Sequence, residues 1–283
     1  MNFRADLHVH STHSDGSCTP QELVKEAKQA GLSGLCITDH DSLSAYPKVF
    51  EDAEAAGISM IPGIELSTDF EDESIHLLGY SFAYTNSEIQ ELCRRHKARR
   101  RTRNERILQK LQKLGIHIEM EQLYKEGAGE DHTVGRPHIA LLLIEKGVVR
   151  SVQEAFDKYL GEQKAAYDPG EPICIAESID VIHQAGGLAV LAHPHLIKRK
   201  RVVKKILRLP LDGIEVYYAR MSPSQELPWL QIAKERNWIA TGGSDYHGTI
   251  KPFNQLGSSW VDEKTFGLLH AHFKKSLESQ ARA

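Results

Sequence analysis

The chain has 283 residues, of which 41% are hydrophobic, and a formal net charge of −3; that is room for one barrel-sized domain or two smaller ones, and the net charge by itself says nothing about partners. No apolar run approaches the roughly 20 residues of a membrane-spanning helix. The four cysteines (Cys18, Cys36, Cys93 and Cys174) lie far apart without a Cys-x-x-Cys pair, which excludes a disulfide scaffold and reads as reduced thiols in a cytoplasmic protein. The 15 histidines are an excess that favours metal or phosphate chemistry.

Phe3, Ala5, Leu7 and Val9 alternate with Arg4, Asp6, His8 and His10, a period of two that predicts a first strand. A strand starting this early leaves no room for a secretory signal. The alternation puts His8 and His10 on one face, about 6–7 Å apart, and Asp15 follows in a Ser/Gly turn. Thr19-Pro20-Gln21-Glu22 is a capping-box start to a helix stopped by Gly31. Gly34 to Thr38 is an apolar strand ending at Asp39-His40-Asp41, and a helix over Ser44–Ala56 stops at Gly57. Ile58 to Ile61 starts another strand, read as running past Pro62-Gly63 to Glu65 and Leu66, and Ile75 to Tyr80 is the next. This βαβα rhythm is an α/β signature.

The pattern then changes. Residues 85–165 read as a helical insertion between two barrel segments, 1–84 and 166–283. Ser87 to Leu114 is one long helix, apolar at its ends but not in its middle, where eight of the thirteen residues from Arg94 to Arg106 are Lys or Arg. Gly127 to Asp131 is a loop, a helix runs from Arg136 to Lys146, and Ser151-Val152-Gln153-Glu154 opens another to Leu160. The rhythm resumes with a helix over Ala176–Ala185, a strand Leu188–Ala192 ending at His193-Pro194-His195, a basic helix Val202–Leu209, and a strand Gly213–Tyr217. A helix capped by Ser222-Pro223 reaches Arg236. A strand Trp238–Thr241 ends at Gly243-Ser244-Asp245-Tyr246-His247. Leu256–Val261 reads as a last strand, before a C-terminal helix from Lys264.

The polar candidates share one kind of place. His8 and His10 end the first strand, His40 follows the second, and Glu65 ends the third. His76 lies on the fourth, while His193, Asp245 and His247 follow later ones. In a barrel of parallel strands the carboxyl ends form one rim, where active sites are built. Nine side chains could converge there: His8, His10, Asp15, His40, Glu65, His76, His193, Asp245 and His247. Six imidazoles and three carboxylates suit Zn, Mn or Fe(II), and nine ligands are too many for one ion. Asp39 and Asp41 read as helix caps or supports orienting a ligand imidazole. His13, His117, His132, His183, His270 and His272 read mostly as solvated.

Asp6-Leu7-His8-Val9-His10-Ser11, Thr38-Asp39-His40-Asp41, Gly63-Ile64-Glu65, His76 to Tyr80, Ala192-His193-Pro194 and Gly243 to His247 resemble, in order, the motifs of the polymerase and histidinol phosphatase family. The resemblance implies a distorted (β/α)7 barrel with three divalent metal ions, Mn, Zn or Fe(II). It further implies that His8, His10, Glu65 and Asp245 hold one ion, that Glu65 bridges to a second held with His76 and His193, and that Asp15, His40 and His247 hold the third. Gly135 to Ala140, Ala155 to Gly161 and Ala166-Tyr167 resemble the family's nucleotide phosphoesterase branch, which includes 3′,5′-nucleoside bisphosphate phosphatases and a 5′–3′ exoribonuclease. That implies Arg136 and His138 at the barrel mouth, binding substrate phosphate.

The expected reaction is phosphoester hydrolysis on nucleotides or short RNA, with a water whose pKa is lowered from 15.7 toward about 7 by metal. Arg136 offers a planar fork suited to phosphate. His195, two residues after a ligand candidate, is placed to contact phosphate or protonate the leaving oxygen. The Arg94–Arg106 run suggests contact with substrate phosphates. The rival readings are a small-metabolite phosphatase, such as one for histidinol phosphate, and a non-catalytic RNA-binding protein with structural metals. No membrane contact or protein partner is indicated.

Overall fold

The computed structural model describes residues 3–125 and 132–280; the loop expected at Gly127–Asp131 lies outside the described residues. Three short strands, β1 (Ala5–Val9), β2 (Gly34–Ile37) and β3 (Ser59–Met60), form a parallel sheet in that order. A second sheet is ordered β4 (Gly63–Phe70), β5 (Glu73–Tyr80), β6 (Leu188–Leu191), β7 (Gly213–Tyr218) and β8 (Ile239–Gly243). Bridges at both seams, His40 to Glu65 and Val9 to Tyr246, join the two sheets. The fold class is α/β, as expected.

Three strand readings are corrected. The stretch from Ile58 to Leu66 is not one strand. β3 pairs with β2, whereas β4 pairs with β5 in the other sheet, and the break falls at Ile61-Pro62, where proline removes a backbone donor. Counted as one interrupted strand, β3 and β4 bring the eight segments to seven. The strands are also not all parallel, because β5 runs antiparallel to both β4 and β6. That reversal puts His76, in the middle of β5, beside the carboxyl end of β6, its carbonyl accepting from the Ala192 amide at 3.2 Å. The expected last strand at Leu256–Val261 reduces to a single bridge between Val261 and Ala5.

Helix α1 (Pro20–Gln29) starts at the expected capping box, with Thr19 accepting from the Glu22 amide at 3.2 Å and Glu22 accepting from the Thr19 amide at 2.8 Å. It buries Leu23, Val24 and Ala27. α1, α2 (Tyr46–Ala56) and a later helix over Ile175–Gln184 press a continuous apolar cluster onto the strands.

Helix α3 (Ser87–Lys113) explains its own odd pattern. Its first turns put Ile89 and Leu92 into the cluster of the barrel, while its last turns put Ile107, Leu108 and Leu111 into a separate one. That second cluster includes Ile118 and Leu123 around α4 (Met120–Lys125), Ile139 and Leu143 of α5 (Arg136–Glu145), Ala155 of α6 (Val152–Ala155), Leu160 and Ala166. After α6 the chain closes in a π-helical turn over Phe156–Leu160, not the regular helix expected. The charged middle of α3 crosses the junction between the two cores. Arg95 pairs with Glu177, Arg106 with Glu171, and Arg99 with Asp69 at 2.6 Å. Arg100 reaches Asp41 at 2.6 Å and the Ser67 hydroxyl at 2.8 Å. Much of the basic run therefore ties the helix to the barrel, a correction to its reading as a phosphate-facing surface. The remaining helices are α7 (Ile175–Gln184), α8 (Lys200–Ile206), α9 (Pro223–Arg236) and α10 (Glu263–Gln280); among the described residues no helix is long and apolar enough to cross a membrane.

Candidate metal centre

The turn after β1 is fixed before any ligand is considered. Asp39 accepts from the Ser11 amide at 2.7 Å and from the hydroxyls of Ser11 and Ser14 at 2.6 Å each. A Cβ at Gly16 would stand 2.1 Å from the His10 carbonyl, so only glycine closes this turn. Asp6, at the buried foot of the strand, accepts from the amides of His8, Ser244 and Gly257 and from the Ser244 hydroxyl, clamping β1 to β8. Burial nevertheless pushes its carboxyl up to about 6.

Glu65 is the centre of what this framework presents. One carboxylate oxygen lies 3.1 Å from His8 Nε2, 3.1 Å from His10 Nε2 and 3.2 Å from His40 Nδ1. The other lies 2.8 Å from His76 Nδ1 and 2.9 Å from His193 Nε2. Asp245 Oδ1 approaches His10 Nε2 at 3.3 Å and His8 Nε2 at 3.5 Å. Asp15 reaches His247 Nε2 at 3.3 Å and His40 Nε2 at 3.8 Å. All nine candidates from the sequence thus stand in one cluster.

The cluster has the chemistry of a cation site. His8 Nε2, His10 Nε2, Asp15 Oδ1, His40 Nδ1, Glu65 Oε2 and His247 Nε2 are buried without a hydrogen-bond partner, and buried polar atoms ask for one. Three sets have donor atoms within 4.8 Å of one another: His10, Asp15, His40 and His247; His8, His10, Glu65 and Asp245; and His40, Glu65 and His76. Nitrogen and carboxylate oxygen donors of this kind fit borderline divalent ions. Burial opposes ionisation of Glu65, but the imidazoles of His40, His8 and His76 outweigh it and hold the carboxyl well below its ordinary range. Burial likewise opposes a proton on His10, yet Asp245 and Glu65 lift its imidazole to about 9; a cation would compete for the same carboxylates, so loading is expected to release protons.

Glu215 escaped the sequence reading. It is buried on β7, with Oε1 2.8 Å from His8 Nδ1 and Oε2 accepting the His193 amide at 2.7 Å. It therefore orients the His8 imidazole and fixes the His193 backbone, which stands at a left-handed φ of 24°, strain of a kind that gathers at functional sites. The signal was an acid inside the apolar strand Gly213-Ile214-Glu215-Val216. Glu215→Gln is expected to weaken metal affinity roughly 10- to 100-fold, as supports of metal-ligating histidines do; metal titration of the purified variant measures this, and wild-type affinity would remove the role. Tyr218 and Lys251 were missed as well. Both bind Asp245 Oδ2, at 2.7 and 2.8 Å.

The expected phosphate contacts are less uniform. The Arg136 guanidinium lies 5.6 and 5.4 Å from the ring centroids of Phe156 and Tyr167. His138 Nδ1 accepts from the Gly135 amide at 3.1 Å, an N-terminal cap for α5. His195 is half-buried, its ring centroid 4.6 Å from that of Tyr218. Arg103 carries an unrecognised signal. It is 7% exposed, and its Nε and Nη2 have no hydrogen-bond partner among the described residues. Burial, then the neighbouring charges of Arg100, Arg136 and Arg99, depress its pKa. From the edge of the cluster a cleft of about 1080 Å3 opens, lined by Asp15, His195 and His247 and walled by residues of α5, α6 and the segments after β7 and β8.

With this geometry established, a family model described as the PHP domain matches residues 6–166. The chain belongs to the PHP domain family. Over 259 residues this PHP protein is 35% identical to the 5′-3′ exoribonuclease Rnm of Escherichia coli (strain K12), covering 89% of this chain and 87% of that one. It is 28% identical to the 3′,5′-nucleoside bisphosphate phosphatase of Chromobacterium violaceum, covering 86% of each. Its fold superimposes with a TM-score of 0.86 on a crystal structure assigned as a metal-dependent phosphoesterase from Bifidobacterium adolescentis, with 31% identity over 95% of this chain and 96% of that one.

Proposed function

We propose that this PHP protein is a metal-dependent phosphoesterase that hydrolyses phosphate esters of nucleotides or short RNA. The observation that carries this is the gathering of eight imidazole and carboxylate side chains around Glu65, with six atoms of the cluster buried without a hydrogen-bond partner among the described residues. The activities of the similar exoribonuclease and bisphosphate phosphatase support the same reading.

Three ions are proposed. His8, His10, Glu65 and Asp245 take one, Glu65, His76 and His193 a second, and Asp15, His40 and His247 the third. Bound there, divalent ions supply Lewis-acid charge to phosphoryl oxygens and a water of lowered pKa. The remaining work belongs to the chain. Glu215 orients His8 and fixes the His193 backbone. Arg136, Arg103 and His138 hold substrate phosphate. His195, at the cleft floor, is the proton donor proposed for the leaving oxygen. The same reading takes in Mn, Zn or Fe(II) as the metal, residues 85–165 as a substrate-binding insertion, and the cytoplasm as the compartment, consistent with four free cysteines.

The deciding experiment incubates Mn-loaded protein with 3′,5′-bisphosphoadenosine, a 5′-phosphorylated RNA and histidinol phosphate side by side. Turnover of histidinol phosphate alone would overturn the nucleotide assignment. Arg103→Met separates binding from folding. A charge-assisted hydrogen bond to phosphate is worth roughly 1.5–3 kcal/mol, so KM should rise about 10- to 100-fold. The Tm should hold or rise, because an unpaired buried charge is removed. An unchanged KM would return Arg103 to a structural role.

A further inference from the structure

The cleft is larger than the proposed reaction at a single nucleotide requires. Pockets for small ligands run roughly 300–1,000 Å3, and this one, at about 1080 Å3, begins at Asp15 and His247 and extends away from the cluster. One wall is apolar and comes from the insertion: Leu141, Ile144, Val152 and Phe156. The facing wall comes from the segments after β7 and β8 and includes Arg220, Lys251 and Phe253. Among the described residues lining it, Asp15 is the only acid, and it belongs to the donor cluster. Arg99, Arg100, Arg103 and Arg136 do not line it.

Phe253 is the feature that needs explaining. It is 76% exposed, on the lip of the cleft. The Arg220 guanidinium lies over its ring at 5.5 Å, held from a residue at a left-handed φ of 67°. An exposed ring backed by a cation, at the lip of a cleft with a single acid among its described lining residues, has the composition of a stacking surface for single-stranded nucleic acid, where rings take up bases and Arg or Lys the backbone.

We propose that this cleft holds the nucleotides 3′ of the scissile phosphodiester, the part of the strand that keeps the phosphoryl group, with one base stacked on Phe253, making an oligonucleotide rather than a nucleoside bisphosphate the preferred substrate. The inference rests on the phosphoesterase reading. In the reaction a P–O bond forms to the water oxygen, the P–O bond to the 3′ oxygen of the first nucleotide breaks, and that oxygen takes up the proton; the shortened strand keeps the phosphoryl group as its new 5′ phosphate and departs through the cleft. In a bisphosphate the same 3′ oxygen leaves and only inorganic phosphate is released on the 3′ side, so Phe253 is left without a base.

The test measures kcat/KM for a 5′-phosphorylated tetranucleotide and for 3′,5′-bisphosphoadenosine in wild type, Phe253→Ala and Phe253→Trp. The ratio of the two values should fall roughly 5- to 150-fold in Phe253→Ala, the effect of losing one aromatic stacking surface, and should be kept in Phe253→Trp. A ratio unchanged in Phe253→Ala overturns the proposal, as does a loss shared equally by both substrates. If wild type cleaves neither compound, the phosphoesterase reading is what fails. Anisotropy of a labelled tetranucleotide on the same proteins then decides the stacking by itself: weaker binding by Phe253→Ala supports it, and equal binding refutes it.

Discussion

Glu65→Gln is expected to lower kcat/KM by at least about a thousandfold while the barrel stays folded. The carboxylate faces five imidazoles, three on one oxygen and two on the other, all within 3.2 Å. An amide keeps one oxygen and turns an NH2 donor toward the other set, so it cannot serve two positions at once. Metal-ion charge stabilisation is worth several kcal/mol, and about 4 kcal/mol is a factor of a thousand in rate. The strand itself does not depend on this charge. β4 is paired to β5 from Gly63–Tyr80 to Phe70–Glu73, and Ile64 and Leu66 are fully buried on either side. Metal per chain, turnover and circular dichroism read on one preparation check the expectation. Undiminished metal content with turnover near wild type would sink Glu65 as the shared ligand.

The sequence was most legible where the physics is local. Alternation around His8 and His10 located β1, the Thr19–Glu22 capping box located α1, and Gly57, at a left-handed φ of 75°, ended α2. The nine donors were legible because each stands at or near a strand end. The direction of β5 was not. β4 and β5 are joined by Glu71-Asp72, both at positive φ, 50° and 61°. A two-residue turn of that kind usually announces itself with Asn or Gly, and here two acids do the work. The partners of the basic run were hidden for a different reason. Arg100 finds Asp41 59 residues away, and no local pattern reports such a pairing. Glu215 was visible as an acid inside an apolar strand, a signal that needed the burial of β7 to be read.

Asp41→Ala is expected to loosen the two apolar cores joined by α3 and to carry the largest cost in stability. Asp41 is fully buried at a left-handed φ of 54°. It accepts from Arg100 Nε at 2.7 Å and the Ser67 amide at 2.8 Å, and lies 3.2 Å from His96 Nδ1. Burial opposes its charge, but His96 and Arg100 outweigh burial and hold the carboxyl well below its ordinary range. Truncation leaves Arg100 buried without its counter-ion, which costs roughly 3–5 kcal/mol, or a Tm lower by about 6–20 °C in a chain of this size. Because His40 precedes Asp41 and faces Glu65, turnover should fall as well. The same junction sets a pH response. Burial, with Arg100, Arg99 and Arg95 adding to it against Asp41, lowers His96 from 6.5 to about 4. The unfolded chain therefore takes up a proton that the folded one refuses. The stability tied to a neutral His96 is complete above pH 6.5 and is lost as pH falls toward 4, a difference of about 3 kcal/mol. His96→Gln should flatten the wild-type fall in denaturation midpoint between those limits. Parallel profiles for the two proteins would mean that the acid sensitivity of the fold arises elsewhere, and a Tm within 2 °C of wild type in Asp41→Ala would mean that the two cores are held together without this ion pair.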